Sequence, residues 1–390
     1  MTNKIGKINI KALNKQFWRV LSSVQLGIYC LIALFILTVA GTLAQVNVGI
    51  YVATKTYFSA FFVYVPVFGI KVPIFPGAIT IGLLLLINLI AAHITRLHIS
   101  VKKAGIWLIH AGVIVLILGG AISVFLSDES QMIIKEGESR YFSEDFHSYE
   151  LVLLKPLENG YDQQFIVDAS ELKAGYQLRD VNIDVDLDIL EFFANSTLQK
   201  TTKPLVAYTG IGAYEVASPL PEVTQDNYKN VPSAIIDVKH NQSNYLMLLS
   251  AGFKNLQPIP NTPYYVALRY KRHYNPFSVY LLDFKHERYE QSEIPSHFSS
   301  HVQLIDFNQT RLVDYVIEMN KPLRYGGKTY FQASFDEDDT ISVLQVVENP
   351  GWLLPYLATV IITLGLCYQF FIVFLGFIKK RKRAETKELL

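Results

Sequence analysis

The sequence predicts a membrane protein of four transmembrane α-helices, three followed by one, with a large mainly-β extracytoplasmic domain between helices three and four. Three observations predict it: four long uncharged apolar segments, a charge distribution that changes abruptly at Asp128, and short β-branched stretches confined to the middle of the chain. Of 390 residues, 51% are hydrophobic and the mean hydropathy is +0.24, more than an ordinary soluble domain needs to fill its core.

A spanning helix needs about 20 mostly apolar residues, because the hydrocarbon layer is roughly 30 Å thick and each helical residue rises about 1.5 Å. Residues 24–44, 72–92, 104–126 and 352–378 qualify, each without Asp, Glu, Lys or Arg. Residues 60–70 are too short and, with Pro66 and Pro73 nearby, read as an interfacial or re-entrant piece of the first external loop. Orientation follows from basic flanks, which resist translocation. Lys4, Lys7, Lys11, Lys15 and Arg19 precede the first span; Arg96, Lys102 and Lys103 lie between the second and third; a basic run from Lys379 to Arg383 follows the fourth. Residues 1–23 and 379–390 are then cytoplasmic, and the predicted location is a bacterial inner membrane with the main domain on the periplasmic side. The first apolar run is span-length and lacks a clear small-x-small site, so a cleaved signal peptide is not expected.

No Asp or Glu occurs before Asp128, whereas residues 128–351 hold 32 acidic and 19 basic residues, a net of −13. Residues 127–351 therefore read as a water-facing acidic domain. It disfavours nucleic acid and attracts a basic protein partner. Residues 181–189, 233–238, 264–270 and 278–284 read as strands separated by Asn, Gly and Pro turns, in one or two sandwich-like layers. The acidic run 336–339 reads as a solvated turn without EF-hand spacing. Cys30 and Cys367 both fall in apolar segments, so the outer domain has no disulfide, Cys-x-x-Cys pair or Cys-x-x-Cys-His haem attachment site.

Several stretches together resemble one family. They are Trp18, Leu21, Ser23, Leu26 and Gly27 entering helix one, with Gly41-Thr42 near its end; the helix from His110 to Gly120, followed by Ile134-Lys135-Glu136-Gly137-Glu138; and Pro276-Phe277-x-Val279-x-Leu281-x-Asp283-Phe284. Tyr289, Ser292, Pro295, Phe298 and Ser300 follow, then Met319-Asn320-x-Pro322-Leu323-x-Tyr325-x-Gly327, Tyr330-x-Gln332-x-Ser334, and Asn349-Pro350-Gly351 at the mouth of helix four. In that order the chain resembles the ResB-like (CcsB-type) family of cytochrome c biogenesis proteins of the system II pathway. The resemblance implies a subunit of a cytochrome c synthase complex, not catalytic alone. With a CcsA/ResC-type membrane partner, it would bring haem b across the membrane and present apocytochrome c for covalent attachment. That partner's tryptophan-rich external motif is absent, since the tryptophans are Trp18, Trp107 and Trp352. The alternative is a membrane-tethered scaffold that binds no haem and only stabilises a partner.

The candidate site rests on histidine, since ionisable residues in spans are costly and usually have a task. His110 lies about six residues into helix three, roughly 9 Å from its cytoplasmic end. It is the candidate axial ligand for haem iron arriving from the inner side, and Gly105 and Gly112 nearby would let a flat ligand or another helix approach. The plainer reading is a hydrogen bond to a neighbouring helix. His93, at the inner end of helix two, is a second candidate ligand or a support for His110; the plainer reading is an interfacial histidine, as it is for His98. His147, His240, His273, His286, His297 and His301 form no tight metal spacing, and a strand would keep His297 and His301 apart. No catalytic residue is expected.

Overall fold

The computed structural model of the chain describes residues 10–95, 100–158, 160–180, 182–205, 207–223, 229–253, 255–288, 295–307, 312–335 and 340–388. Arg96, His98, Tyr289, Ser292 and the acidic run 336–339 lie outside the described residues. Two compact units form, one from residues up to Ser127 together with Asn349 onward, the other from Asp128–Glu348.

The first unit contains helices α1 (Ile10–Leu21), α2 (Val24–Val48), α3 (Ile50–Ala53), α4 (Ala78–Thr95), α5 (Ala104–Leu126) and α6 (Leu354–Glu388). Four segments are long and apolar enough to cross a membrane: Val24–Val48, Ala78–Thr95, Val101–Leu126 and Leu354–Arg383. Within their most apolar windows only 6% to 22% of each is buried by the protein, so these surfaces need lipid, not a protein core, to cover them.

The second span starts at Ala78, not at residue 72. Pro76 biases Phe75 away from helical backbone, and the Gly77 N–H donates to the Phe61 carbonyl at 2.8 Å. Most of the piece read as interfacial and the residues expected as the helix start form an antiparallel hairpin, Phe62–Val67 with Ile70–Pro76, which corrects the helix start and leaves the interfacial reading standing. At the break between α1 and α2, the Asn88 side chain of α4 donates from Nδ2 to the carbonyls of Leu21 (2.6 Å) and Ser23 (2.9 Å). A helix end in an apolar setting leaves carbonyls without partners; this buried amide meets the Leu21 carbonyl at the end of α1 and adds a second donor to the Ser23 carbonyl, which also accepts the Gly27 N–H at 3.4 Å.

Helices α5 and α6 pack along a glycine seam. A Cβ on Gly105 would lie 2.6 Å from Gln369 Cβ and 2.7 Å from the Gly365 carbonyl oxygen; on Gly112, 2.6 Å from Ile362 Cγ1; on Gly119, 2.8 Å from Leu354 Cβ. The seven-residue spacing keeps all three on one face. Gly105 and Gly112 thus admit the chain's own last helix, not a flat ligand, whereas Gly120 has open space around its Cβ position.

The second unit is mainly β. A ten-stranded sheet is built around two long strands, Ser139–Pro156 and Tyr265–Arg288, which pair with one another. Their first shared segment, with Leu151, Leu153, Val266 and Leu268, packs against a five-stranded sheet containing Asp186–Phe193, Ser233–His240 and Ser243–Ser250. The sandwich core between them is filled by Ile189, Ile236, Met247 and Tyr264. Beyond it the ten-stranded sheet rolls on itself over a second core of Met132, Phe277, Leu281, Val302, Tyr330 and Leu344. Across that roll, the Ser300 hydroxyl meets Gln332 Oε1 at 2.5 Å and Ser342 Oγ at 2.6 Å. Strand Ile341–Glu348 shows the expected period of two, burying Ser342, Leu344 and Val346.

The stretches 264–270 and 278–284, read as separate strands, belong from Tyr265 onward to the single strand Tyr265–Arg288. The Asn275-Pro276 pair, read as a turn, sits where the register shifts between Tyr274 and Val279, an irregularity where a strand tolerates proline. In the stretch 181–189, Val181 lies outside the described residues and residues 182–185 precede the strand, which starts at Asp186; the Asp180 carboxylate accepts the Asn182 N–H at 2.8 Å in a local turn.

Candidate functional site

Helix α5 has two working faces. The glycine seam occupies one, and Trp107 and His110, one turn apart, occupy the other, since His110 and Gly112 are separated by about 200° around the helix. That second face meets His93 in the last turn of α4. The His93 and His110 rings are 6.3 Å apart between centroids and inclined by 30°, and the Trp107 ring lies 3.7 Å from His93 at 54°. The two sequence-predicted candidates are therefore neighbours, and an indole braces one of them.

Three nitrogens in this cluster, His93 Nδ1, Trp107 Nε1 and His110 Nδ1, are buried without a hydrogen-bond partner among the described residues. Leaving a buried donor or acceptor unmet costs about 1–3 kcal/mol each, so three together mark a place where the chain alone leaves polar groups unsatisfied. Gln369 Oε1 of α6 is a fourth such atom, on the residue that packs against Gly105. Imidazole nitrogens are ordinary axial ligands of haem iron, so the donor set fits that group. Trp107 and Gln369 escaped sequence reasoning. For Trp107 the available signal was its one-turn spacing from His110; for Gln369 it was a polar residue inside a span.

Three other described histidines, all in the second unit, have near polar neighbours: His147 is 3.7 Å from Asp145 Oδ1, His273 Nδ1 is 3.4 Å from Asp128 Oδ2 although its Nε2 is buried and unmet among the described residues, and His240 Nδ1 lies 2.8 Å from the Asp184 carbonyl oxygen. His297 and His301 lie opposite Glu287 and Asp283 on one regular strand, separated by roughly 13 Å at strand rise. Among the described residues no group of three or more His, Cys, Asp or Glu could hold a metal ion.

Residues 254–343, the greater part of the rolled sheet, match the ResB-like family. Over those residues the chain is similar to that family. It is also 39% identical over 111 residues to Protein NrfI of Wolinella succinogenes, an overlap of 27% of this chain and 12% of that protein, so it spans about an eighth of that relative's length. The family match lies wholly within the second unit and does not include His93, Trp107 or His110.

Proposed function

We propose that this chain acts in cytochrome c biogenesis, holding haem b as cargo at the His93–Trp107–His110 face of its membrane helices in a complex with a CcsA/ResC-type subunit. The cluster of unpartnered buried nitrogens on two neighbouring spans carries the reading. When bound, haem supplies an iron that takes imidazole nitrogen and the vinyl carbons to which cytochrome cysteines are joined. His110 would offer one imidazole nitrogen to hold the group, and His93 would offer another or steady the first. Trp107 holds the His93 ring in place, and the apolar span surfaces keep water from the site. The basic flanks support a cytoplasmic-side position for these residues, suited to receiving haem from inside, and the net charge of −13 over residues 128–351 supports attraction of a basic apocytochrome c.

The test is His110→Ala against His147→Ala, each purified with its partner from native membranes by mild-detergent pull-down. His110→Ala is expected to lower bound haem, change its absorption spectrum and block cytochrome c maturation at normal protein abundance, with partial rescue by imidazole. His147→Ala, at an exposed site outside the spans, is expected to leave all three intact. Unchanged haem and maturation in His110→Ala would refute the ligand assignment and favour a scaffold that only stabilises its partner. For topology, a reporter fused at Leu390 is expected in the cytoplasm and one inserted at Asp338 outside; the reverse result overturns the orientation.

A further inference from the structure

We propose that the hairpin of residues 62–76 is an interfacial lipid anchor, with Phe68 and the Val65, Val67, Ile70, Val72 face set into the leaflet onto which the end of α2 and the start of α4 open. The hairpin is exposed on both faces beyond its base. Its turn is Phe68-Gly69, both with positive φ (50° and 81°), between the directly paired Val67 and Ile70. This is the two-residue primed turn that favours Asn or Gly at its first position. A phenylalanine there is held in a left-handed backbone that large side chains avoid, and its ring is fully exposed at 102%. A strained backbone that presents a bare aromatic ring at a tip points to a surface the tip enters.

The hairpin's edges decide between lipid and a protein strand. With Val67 and Ile70 as the closing hydrogen-bonded pair, ladder alternation turns the backbone groups of Pro66, Lys71, Tyr64 and Pro73 outward. Two of these four residues are prolines, one on each strand, so each edge is short of the N–H groups that strand addition by another protein requires. The same absence lowers the cost of placing the edges beside acyl chains, and an interfacial depth leaves the outward carbonyls within reach of headgroup water.

The two faces also differ. One carries only valine and isoleucine beyond the base, whereas the other carries Tyr64, Pro66, Lys71 and Pro73. Lying in the plane of the interface, the hairpin would turn the first face to the acyl chains and let Lys71 reach headgroup phosphates. Its base is fixed by Val63, buried among Cys30, Leu37, Ile81 and Leu85, so it continues the lipid-facing surface of the spans. A two-stranded hairpin is barely stable alone in water, and lipid can cover such a ribbon at its tip and apolar face together.

The experiment places tryptophan at the tip of the full-length chain, Phe68→Trp, with Ile70→Trp as a second reporter that avoids the strained position. Each is reconstituted in phosphatidylcholine–phosphatidylglycerol nanodiscs, with the unsubstituted chain's emission subtracted to remove Trp18, Trp107 and Trp352. Short-wavelength emission, quenched at least twofold by shallow doxyl-labelled lipid and little by aqueous acrylamide, is expected for both reporters. Long-wavelength emission quenched by acrylamide and unaffected by doxyl lipid would overturn the proposal by placing the hairpin in water. Short-wavelength emission insensitive to both quenchers would overturn it by showing that protein covers the tip.

Discussion

Substitution of Gly105 by alanine tests whether the α5–α6 seam sets the rotation of the helix that carries His110. The added Cβ would sit 2.6 Å from Gln369 Cβ, 2.7 Å from the Gly365 carbonyl oxygen and 2.8 Å from the Gln369 nitrogen. Carbon–carbon contacts settle near 3.5–4.0 Å, so the helices must part by about 1 Å there, and a gap of that size forfeits roughly a quarter to a half of each neighbouring contact. Two of the three obstacles are backbone atoms and the third is a Cβ fixed by the backbone, so no rotamer change can move any of them. Overpacking of this kind costs about 1–3 kcal/mol, while the helix propensity gained on replacing glycine returns up to about 1 kcal/mol. The expected net loss is about 1–2 kcal/mol. Gly120→Ala provides the control: its Cβ meets nothing within 4 Å, so only the propensity gain of about 0.5–1 kcal/mol remains. Unfolding of the purified chain in mild detergent should therefore shift in opposite directions for the two variants. A Gly105→Ala protein as stable as the Gly120→Ala protein would refute the close packing.

In the second unit, Arg269 and Glu150 form a buried pair, 8% and 3% exposed, with an N–O distance of 2.8 Å. Arg269→Met should cost about 3–5 kcal/mol by stranding the carboxylate, and adding Glu150→Leu should recover most of it, as read by denaturant unfolding. Asn88→Leu removes both hydrogen bonds at the α1–α2 break; a loss of about 1–2 kcal/mol and faster protease cleavage near Ser22 are expected. The Asp188 carboxyl is held below the usual carboxylate range by the hydrogen bond from Lys239 (2.6 Å), against opposition from burial and with help from Arg179. Its contribution is complete above an unfolded pKa of about 3.9 and is lost as pH falls through the lower folded value, so Asp188→Asn should flatten the acid limb of a stability–pH curve.

The spans were legible because four apolar runs of that length have no other use for their surface, and composition alone registers it. The start of the second span was not, because apolarity does not distinguish Val72 in a helix from Val72 in a hairpin. Pro73 and Pro76 were visible, but the strand partner that makes an extended conformation worthwhile lies across the turn in sequence. The second unit's β character was legible from β-branched stretches such as residues 233–238 and 278–284. Its organisation was hidden, since a 24-residue strand that runs through Asn275-Pro276 violates local turn chemistry for the sake of pairing on both sides. At the candidate site, His110 and His93 stood out as costly residues in lipid. Their proximity depended on which face of α5 the glycines occupied, and the sequence left open whether α6, a ligand or a partner would meet those glycines.

The pairing of Asp128 with Glu348 in one ladder has a consequence for how such a chain is assembled in evolution. Cα atoms directly opposite in an antiparallel ladder are about 5 Å apart, so the second unit leaves its sheet beside the point where it enters. Helices α5 and α6, which these ends continue, are held together by their own seam and require nothing from the inserted 221 residues to stay paired. The unit thus has the geometry of a cassette in a helical hairpin, a segment that recombination can exchange, enlarge or trim as one piece without opening either fold.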